Sequence, residues 1–270
     1  MLLNRLSESH PELVWELVEV PESGDDDALF ELLAAGGFDL HVCAARALTM
    51  SLPDEVELIA CTERNDPFDV LISSEGALLE DLPEGAAVGV ESARVAIQIA
   101  DFRDDLTIKK LGTSVDRLVE DWKRGDLAGF IVAAEDVQVL GWEDAVSEVF
   151  PPDILLPGAG QGAFAFVARK SDADAKARLE VVDHWTTRQV VLAERAFLRE
   201  LDVKLTDPVA VHGSFDSDTL VLEALLGDEI SGAILRDDLD GEPSEGADLG
   251  VRLAKLFVAD GARDYLAGYK

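Results

Sequence analysis

The residues able to do chemistry in this chain are few and scattered. Cys43 and Cys61 offer thiols, but both sit in apolar runs where a thiol serves as a packing group. His41 and Cys43 are two apart on a strand-like run and share a face, a pairing compatible with a metal ion. No other ligand residue stands near them, so no metal site is expected, and His10, His184 and His212 are isolated. Ser92 precedes a helical run, where its hydroxyl would cap the helix and the free N–H groups behind it could receive an anion. Trp15, Trp122, Trp142 and Trp185 show no spacing that would stack nucleobases and read as packing residues.

Short apolar runs alternate with helical stretches, the pattern of an α/β chain with mixed or parallel sheets. Leu13–Val20 alternates with period two and reads as a strand. Phe38–Cys43, Glu57–Cys61, Ala87–Val90, Leu127–Ala133 and Ala163–Ala168 read as buried strands. Helices are expected over Asp27–Ala35, stopped by Gly36-Gly37, and over Ser92–Ala100, Ser114–Trp122 and Asp172–His184, with Ser92 and Ser114 as caps. Thr186–Glu200 is strongly helical. Beyond it Val209–His212 and Thr219–Leu225 read as strands, Glu229–Arg236 as a candidate third, and Ala247–Asp260 as a closing amphipathic helix. The acidic stretch Asp237–Gly246, with its Gly and Pro, reads as a surface loop.

Composition narrows the classes. The chain has 270 residues, 48% of them hydrophobic, enough for one large core or two to three smaller ones, which excludes a disordered chain. Two cysteines exclude a disulfide scaffold. No apolar run approaches the ~18–20 residues that span a bilayer. The N-terminus lacks a basic-then-apolar leader pattern, so a cytoplasmic location is expected. Fifty-five Asp and Glu against 23 Lys and Arg give a formal charge of −32. Such a field repels nucleic acid and anionic lipid, so neither partner is expected, and it weighs against any anionic small molecule.

Four stretches taken in order resemble the hydroxymethylbilane synthase (porphobilinogen deaminase) family. Glu63-Arg64-Asn65-Asp66-Pro67-Phe68-Asp69 is similar to its Arg-x-Asp-Pro-x-Asp hinge, and Leu82-Pro83-Glu84-Gly85-Ala86-Ala87-Val88-Gly89 to the run leading into its arginine-bearing helix. Leu156-Pro157-Gly158-Ala159-Gly160-Gln161-Gly162-Ala163 is similar to its return strand, and Ala193-Glu194-Arg195-Ala196-Phe197-Leu198 to its most recognisable helix. The resemblance covers about residue 38 to the C-terminus. It implies two periplasmic-binding-protein-like α/β domains, residues 1–64 with 160–184 and residues 65–159, plus a small α+β domain over 185–270. The first would be shortened, because the family's first-strand Gly-Thr-Arg-x-Ser motif has no counterpart.

The family joins porphobilinogens on a dipyrromethane cofactor tethered to a cysteine. That chemistry needs a thiolate anchor, a carboxylate at the pyrrole N–H groups, and cationic donors for the carboxylate arms. Here Leu205 occupies the cysteine position in Val203-Lys204-Leu205-Thr206-Asp207-Pro208, and Ala47 the aspartate position, with Ala44 in place of a hydroxyl donor. Of the anion-binding set Arg46, Ser92, Arg94 and Gln161 remain; Val95 replaces a second arginine and Glu91 adds a negative charge. In Gly112-Thr113-Ser114-Val115-Asp116-Arg117-Leu118 the family's arginines are absent unless a local shift returns Arg117.

The resemblance therefore implies a non-catalytic relative without dipyrromethane, kept as a binding or regulatory protein. Its ligand would be a small carboxylate or pyrrole-type molecule in the interdomain cleft, or its partner a protein. Arg46 and Arg94 either keep a residual anion site with Ser92 and Gln161 or pair with local acids such as Glu91. Two other readings stay open: an active porphobilinogen-using transferase with Lys204 as nucleophile, and a two-domain small-anion binding protein.

Overall fold

The computed structural model describes residues 2–18, 26–48, 51–112 and 115–266. The chain begins with α1 (Leu2–Ser9) and α2 (Asp26–Ala34), then β1 (His41–Ala44), a 3-10 turn at Ala45–Ala47, and β2 (Val56–Cys61). A second stretch holds β3 (Asp69–Ser73), β4 (Ala87–Val90), α3 (Ala93–Phe102), β5 (Thr107–Lys110), α4 (Val115–Lys123), β6 (Gly129–Ala133), α5 (Ala134–Leu140) and β7 (Glu148–Val149). There follow β8 (Phe164–Arg169), α6 (Ala173–Leu179) and the long α7 (Trp185–Leu201). The chain closes with β9 (Val209–Asp216), β10 (Thr219–Gly227), β11 (Ile234–Gly241), α8 (Gly246–Ala259) and α9 (Ala262–Leu266).

Three sheets result among the described residues, ordered β1-β8-β2, β5-β4-β6-β3-β7 and β11-β10-β9. In the five-stranded sheet β4 runs parallel to β5 and β6, whereas β3 is antiparallel to β6 and β7. β3 and β6 are buried along their whole length because both faces are covered. Leu71, Val88, Val90 and Ile131 pack on Val95 and Ile99 of α3, and Val70, Ile72, Phe130 and Val132 pack on Leu118 and Val119 of α4. The register Asp69↔Ala133 brings the start of β3 beside the end of β6. Since β4 runs with β6, one rim of this sheet gathers Asp69, Glu91 and the first turn of α5.

The C-terminal sheet lays Val209, Val211, Leu220, Leu222 and Leu226 against α7 and α8, with Phe197 and Phe257 edge-to-face at 5.1 Å. The two helices touch at Gly250, where an added Cβ would stand 2.1 Å from the Ala193 carbonyl oxygen and 2.9 Å from the Phe197 amide nitrogen. Gly250→Ala is accordingly expected to lower the unfolding free energy by roughly 1–3 kcal/mol through overpacking. A urea melt reads this directly, and an unchanged midpoint would refute it.

The structure corrects several sequence expectations. Leu13–Val18 forms no strand, although Leu13 and Trp15 are half-buried while Val14 is 97% exposed. Of this stretch Trp15 packs against the cluster of Leu6 and Phe166, with no paired backbone; residues 19 and 20 lie outside the described residues. The acidic stretch Asp237–Gly246 is not a loop throughout, for β11 continues to Gly241. Its Leu235 and Leu239 pack on the C-terminal core while Asp238 and Asp240 are exposed. The helix expected over Asp172–His184 ends at Leu179. Ser92 caps α3 as expected, accepting from the Val95 amide at 3.3 Å; the cap expected at Ser114 lies outside the described residues. Sequence periodicity missed β3, β5, β7, α1, α5 and α9.

Candidate ligand cleft

Arg94 leaves the first turn of α3 and meets Asp69, the first residue of β3, in a two-pronged pair with both contacts at 2.8 Å. Asp69 is fully buried and Arg94 nearly so. The guanidinium also donates to the Leu156 carbonyl oxygen at 2.9 Å and to Gln161 Oε1 at 3.4 Å. Gln161 Oε1 accepts the Gly158 amide at 3.2 Å as well, which leaves Gln161 Nε2 buried with no hydrogen-bond partner. The Ser92 hydroxyl oxygen accepts the Val95 amide as the helix cap. The structure thus joins Arg94 and Gln161, and Asp69 supplies the counterion of Arg94 from within the chain.

Arg46 projects from the 3-10 turn after β1 and meets three carboxylates of the neighbouring sheet's rim. Its Nη2 donates to Asp136 Oδ1 at 2.5 Å, its Nε contacts Glu135 Oε1, and its Nη1 lies 3.6 Å from Glu91 Oε1. Glu135 Oε2 in turn accepts the Gly162 amide at 3.0 Å. Burial pushes the Glu91 carboxyl up to about 7 even though Arg46 pulls it down. Glu135 is raised too, again chiefly by burial. One guanidinium faces three carboxylates, so the local field is negative and disfavours a further anion.

Near this rim lies a network that sequence reading had not assembled. Glu194 of α7, fully buried, receives both terminal nitrogens of Arg64 at 2.9 Å, the Gly160 amide at 2.7 Å and the Gly213 amide at 2.9 Å. Arg64 Nη1 also lies 3.1 Å from His212 Nδ1. Burial first, and then the Arg64 charge, lower His212 to about 4, so the ring is neutral at neutral pH and its Nδ1 accepts. Gly160 has φ +74°, and a Cβ there would stand 2.5 Å from the Ala45 carbonyl carbon, so the return crossing sits directly on the turn carrying Arg46. Both Arg64 and Glu194 belong to the motifs singled out in the sequence; only their pairing was hidden.

The remaining candidates are spread out. Ala47 is exposed at the end of the 3-10 turn. Leu205 is 46% exposed in a turn closed by the Lys204 amide donating to Asp207 Oδ2 at 2.8 Å. Lys204 is exposed, without the desolvation that makes a lysine nucleophilic. Cys61 is fully buried and burial pushes its thiol up to about 12, far from a thiolate at neutral pH. Cys43 and Cys61 flank Ala165 on opposite sides of β8. His41 packs edge-on to Phe30 at 5.3 Å. Among the described residues no group of three or more His, Cys, Asp or Glu is arranged to hold a metal ion.

Comparison with known proteins adds the following. The family model described as porphobilinogen deaminase, dipyromethane cofactor binding domain, matches residues 26–177. The porphobilinogen deaminase of Syntrophus aciditrophicus (strain SB) is 34% identical over 275 residues, 96% of this chain and 90% of that protein. That of Roseiflexus sp. (strain RS-1) is 33% identical over 284 residues, 99% of this chain and 93% of that protein. Among solved structures, a lipoprotein of the YaeC family from Enterococcus faecalis V583 is similar with TM-score 0.44 and 12% identity, over 67% of this chain and 84% of that one, too remote to bear on function.

Proposed function

Because this chain belongs to the porphobilinogen deaminase family, we propose that it is a non-catalytic member, a relative of a tetrapyrrole-building enzyme retained as a binding or regulatory protein. One observation carries this reading. The two guanidiniums that survive at the family's anion-binding positions, Arg46 and Arg94, are held by the chain's own carboxylates.

A tethered dipyrromethane does not fit the residues present. Its anchor position is Leu205, which cannot form a thioether, and its catalytic acid position is Ala47. Arg94 would have to exchange Asp69 for a ligand carboxylate, leaving Asp69 charged and buried, which costs several kcal/mol. An exposed Lys204 offers no substitute nucleophile. Of the surviving anion-binding positions, Gln161 keeps one buried donor, Nε2, that has no hydrogen-bond partner within the chain. No described helix is long and apolar enough to cross a membrane.

Intact-mass spectrometry tests the proposal. The purified protein is expected to show the mass of its polypeptide alone, and incubation with porphobilinogen is expected to consume no more substrate than buffer does. A covalent dipyrromethane adduct, or turnover that disappears in Lys204→Ala, would overturn it.

A further inference from the structure

The cluster around Arg46 joins two parts of the molecule that are otherwise separate sheets. Arg46 follows β1 of the three-stranded sheet, whereas Glu91 follows β4 and Glu135 and Asp136 open α5, all on the five-stranded sheet. Glu135 also grips the return crossing through the Gly162 amide. We propose that Arg46 with Glu91, Glu135 and Asp136 forms a proton-controlled latch, which holds the first sheet against the rim of the second and releases it as the solution becomes alkaline. The idea does not depend on whether the chain is catalytic.

The geometry sets the direction. With its side chain 9% exposed, Glu91 is the most buried acid of the cluster, and it lies 3.6 Å from Arg46, too far for a hydrogen bond that would compensate its charge. The charged groups facing it are Arg46 from the 3-10 turn, Asp136 from α5, Asp69 from β3 and Arg94 from α3, while Glu135 of α5 contacts the same Arg46. Arg94 is already committed to Asp69, and Arg46 is shared with Glu135 and Asp136. A charged Glu91 therefore adds a third carboxylate to a site with one available guanidinium, whereas a protonated Glu91 adds none.

The titration follows. In the latched form the Glu91 carboxyl stands at about 7, against 4.5 for the ordinary group, and Glu135 is shifted the same way. A group raised in one form favours that form when protonated. Its contribution is complete below the ordinary value and is lost as the pH climbs through about 7. Across that window the latched form loses the advantage that a protonated Glu91 gives it.

Small-angle X-ray scattering between pH 5 and 9 tests this, because it reads separation of the sheets and not stability. The wild type is expected to expand as the pH rises through about 7. Glu91→Gln, which keeps the shape without the charge, is expected to stay compact throughout, and Arg46→Gln to be expanded already at pH 6. Circular dichroism confirms that each variant is folded; if Arg46→Gln is not, Glu91→Gln still decides the matter. A wild-type radius of gyration that ignores pH, or a Glu91→Gln curve that coincides with the wild type, would overturn the latch.

Discussion

Replacing Glu194 by alanine is expected to lower the unfolding free energy by about 3–5 kcal/mol, the usual cost of stripping one partner from a buried ion pair. The carboxylate is fully buried and receives Arg64, the Gly160 amide and the Gly213 amide, all within 2.9 Å. Removing it leaves a guanidinium that is almost entirely out of solvent without its charge partner, and two backbone donors without an acceptor. These losses share one site and do not add. Against a total stability that for such proteins is about 5–15 kcal/mol, the variant would be marginal. Glu194→Gln, which keeps one acceptor oxygen, should fall between the two. Urea denaturation followed by circular dichroism measures the series, and a loss below ~1 kcal/mol for alanine would show that the network is not structural.

The second large effect concerns Asp69. Asp69→Ala leaves Arg94 charged and buried beside Leu156 and Gln161, and a loss of about 3–5 kcal/mol is again expected. Here a compensating change discriminates between a structural pair and mere volume. The double variant Asp69→Leu with Arg94→Met removes both charges, and apolar replacements of buried pairs are often neutral. It should recover a large part of the loss, though not all, because the Leu156 carbonyl oxygen loses one of its donors. Equal destabilisation of single and double variants would mean that the pair's charge is not what matters. Recovery would also support the idea that Arg94 serves the fold and not a ligand.

Features set by local physics are legible in the sequence. Ser92 caps α3 because the cap needs only its own hydroxyl and an amide three residues on. The stretches Arg64–Asp69 and Gly158–Gly162 were legible as motifs; in the structure the first follows β2 and the second precedes β8. What stayed hidden was who pairs with whom. Arg94 and Asp69 are 25 positions apart, and Arg46 and Asp136 are 90 apart. Those meetings depend on β-sheet register, which side-chain pattern alone does not fix. Glu91 was visible as an intruding charge; Glu135 and Asp136 were not, because α5 itself was not foreseen. β11 departs from its sequence expectation for a related reason: its run of aspartates reads as solvent-facing chain, whereas Leu235 and Leu239 alternate beneath it onto the C-terminal core.

The position of β8 has a consequence for how the molecule comes into being. β1 and β2 are not neighbours; the strand that joins them, Phe164–Arg169, is made only after the entire five-stranded sheet has been synthesised. Newly made residues 41–61 must therefore wait, with their pairing groups unspent, for more than a hundred further residues to leave the ribosome. The inserted sheet, whose strands all lie between residues 69 and 149, can close on itself in the meantime. Long-range closure of this kind is slow and leaves strand edges open to wrong partners. In order of synthesis the inserted five-stranded sheet is therefore complete before the sheet that precedes it in sequence, and the C-terminal sheet follows both.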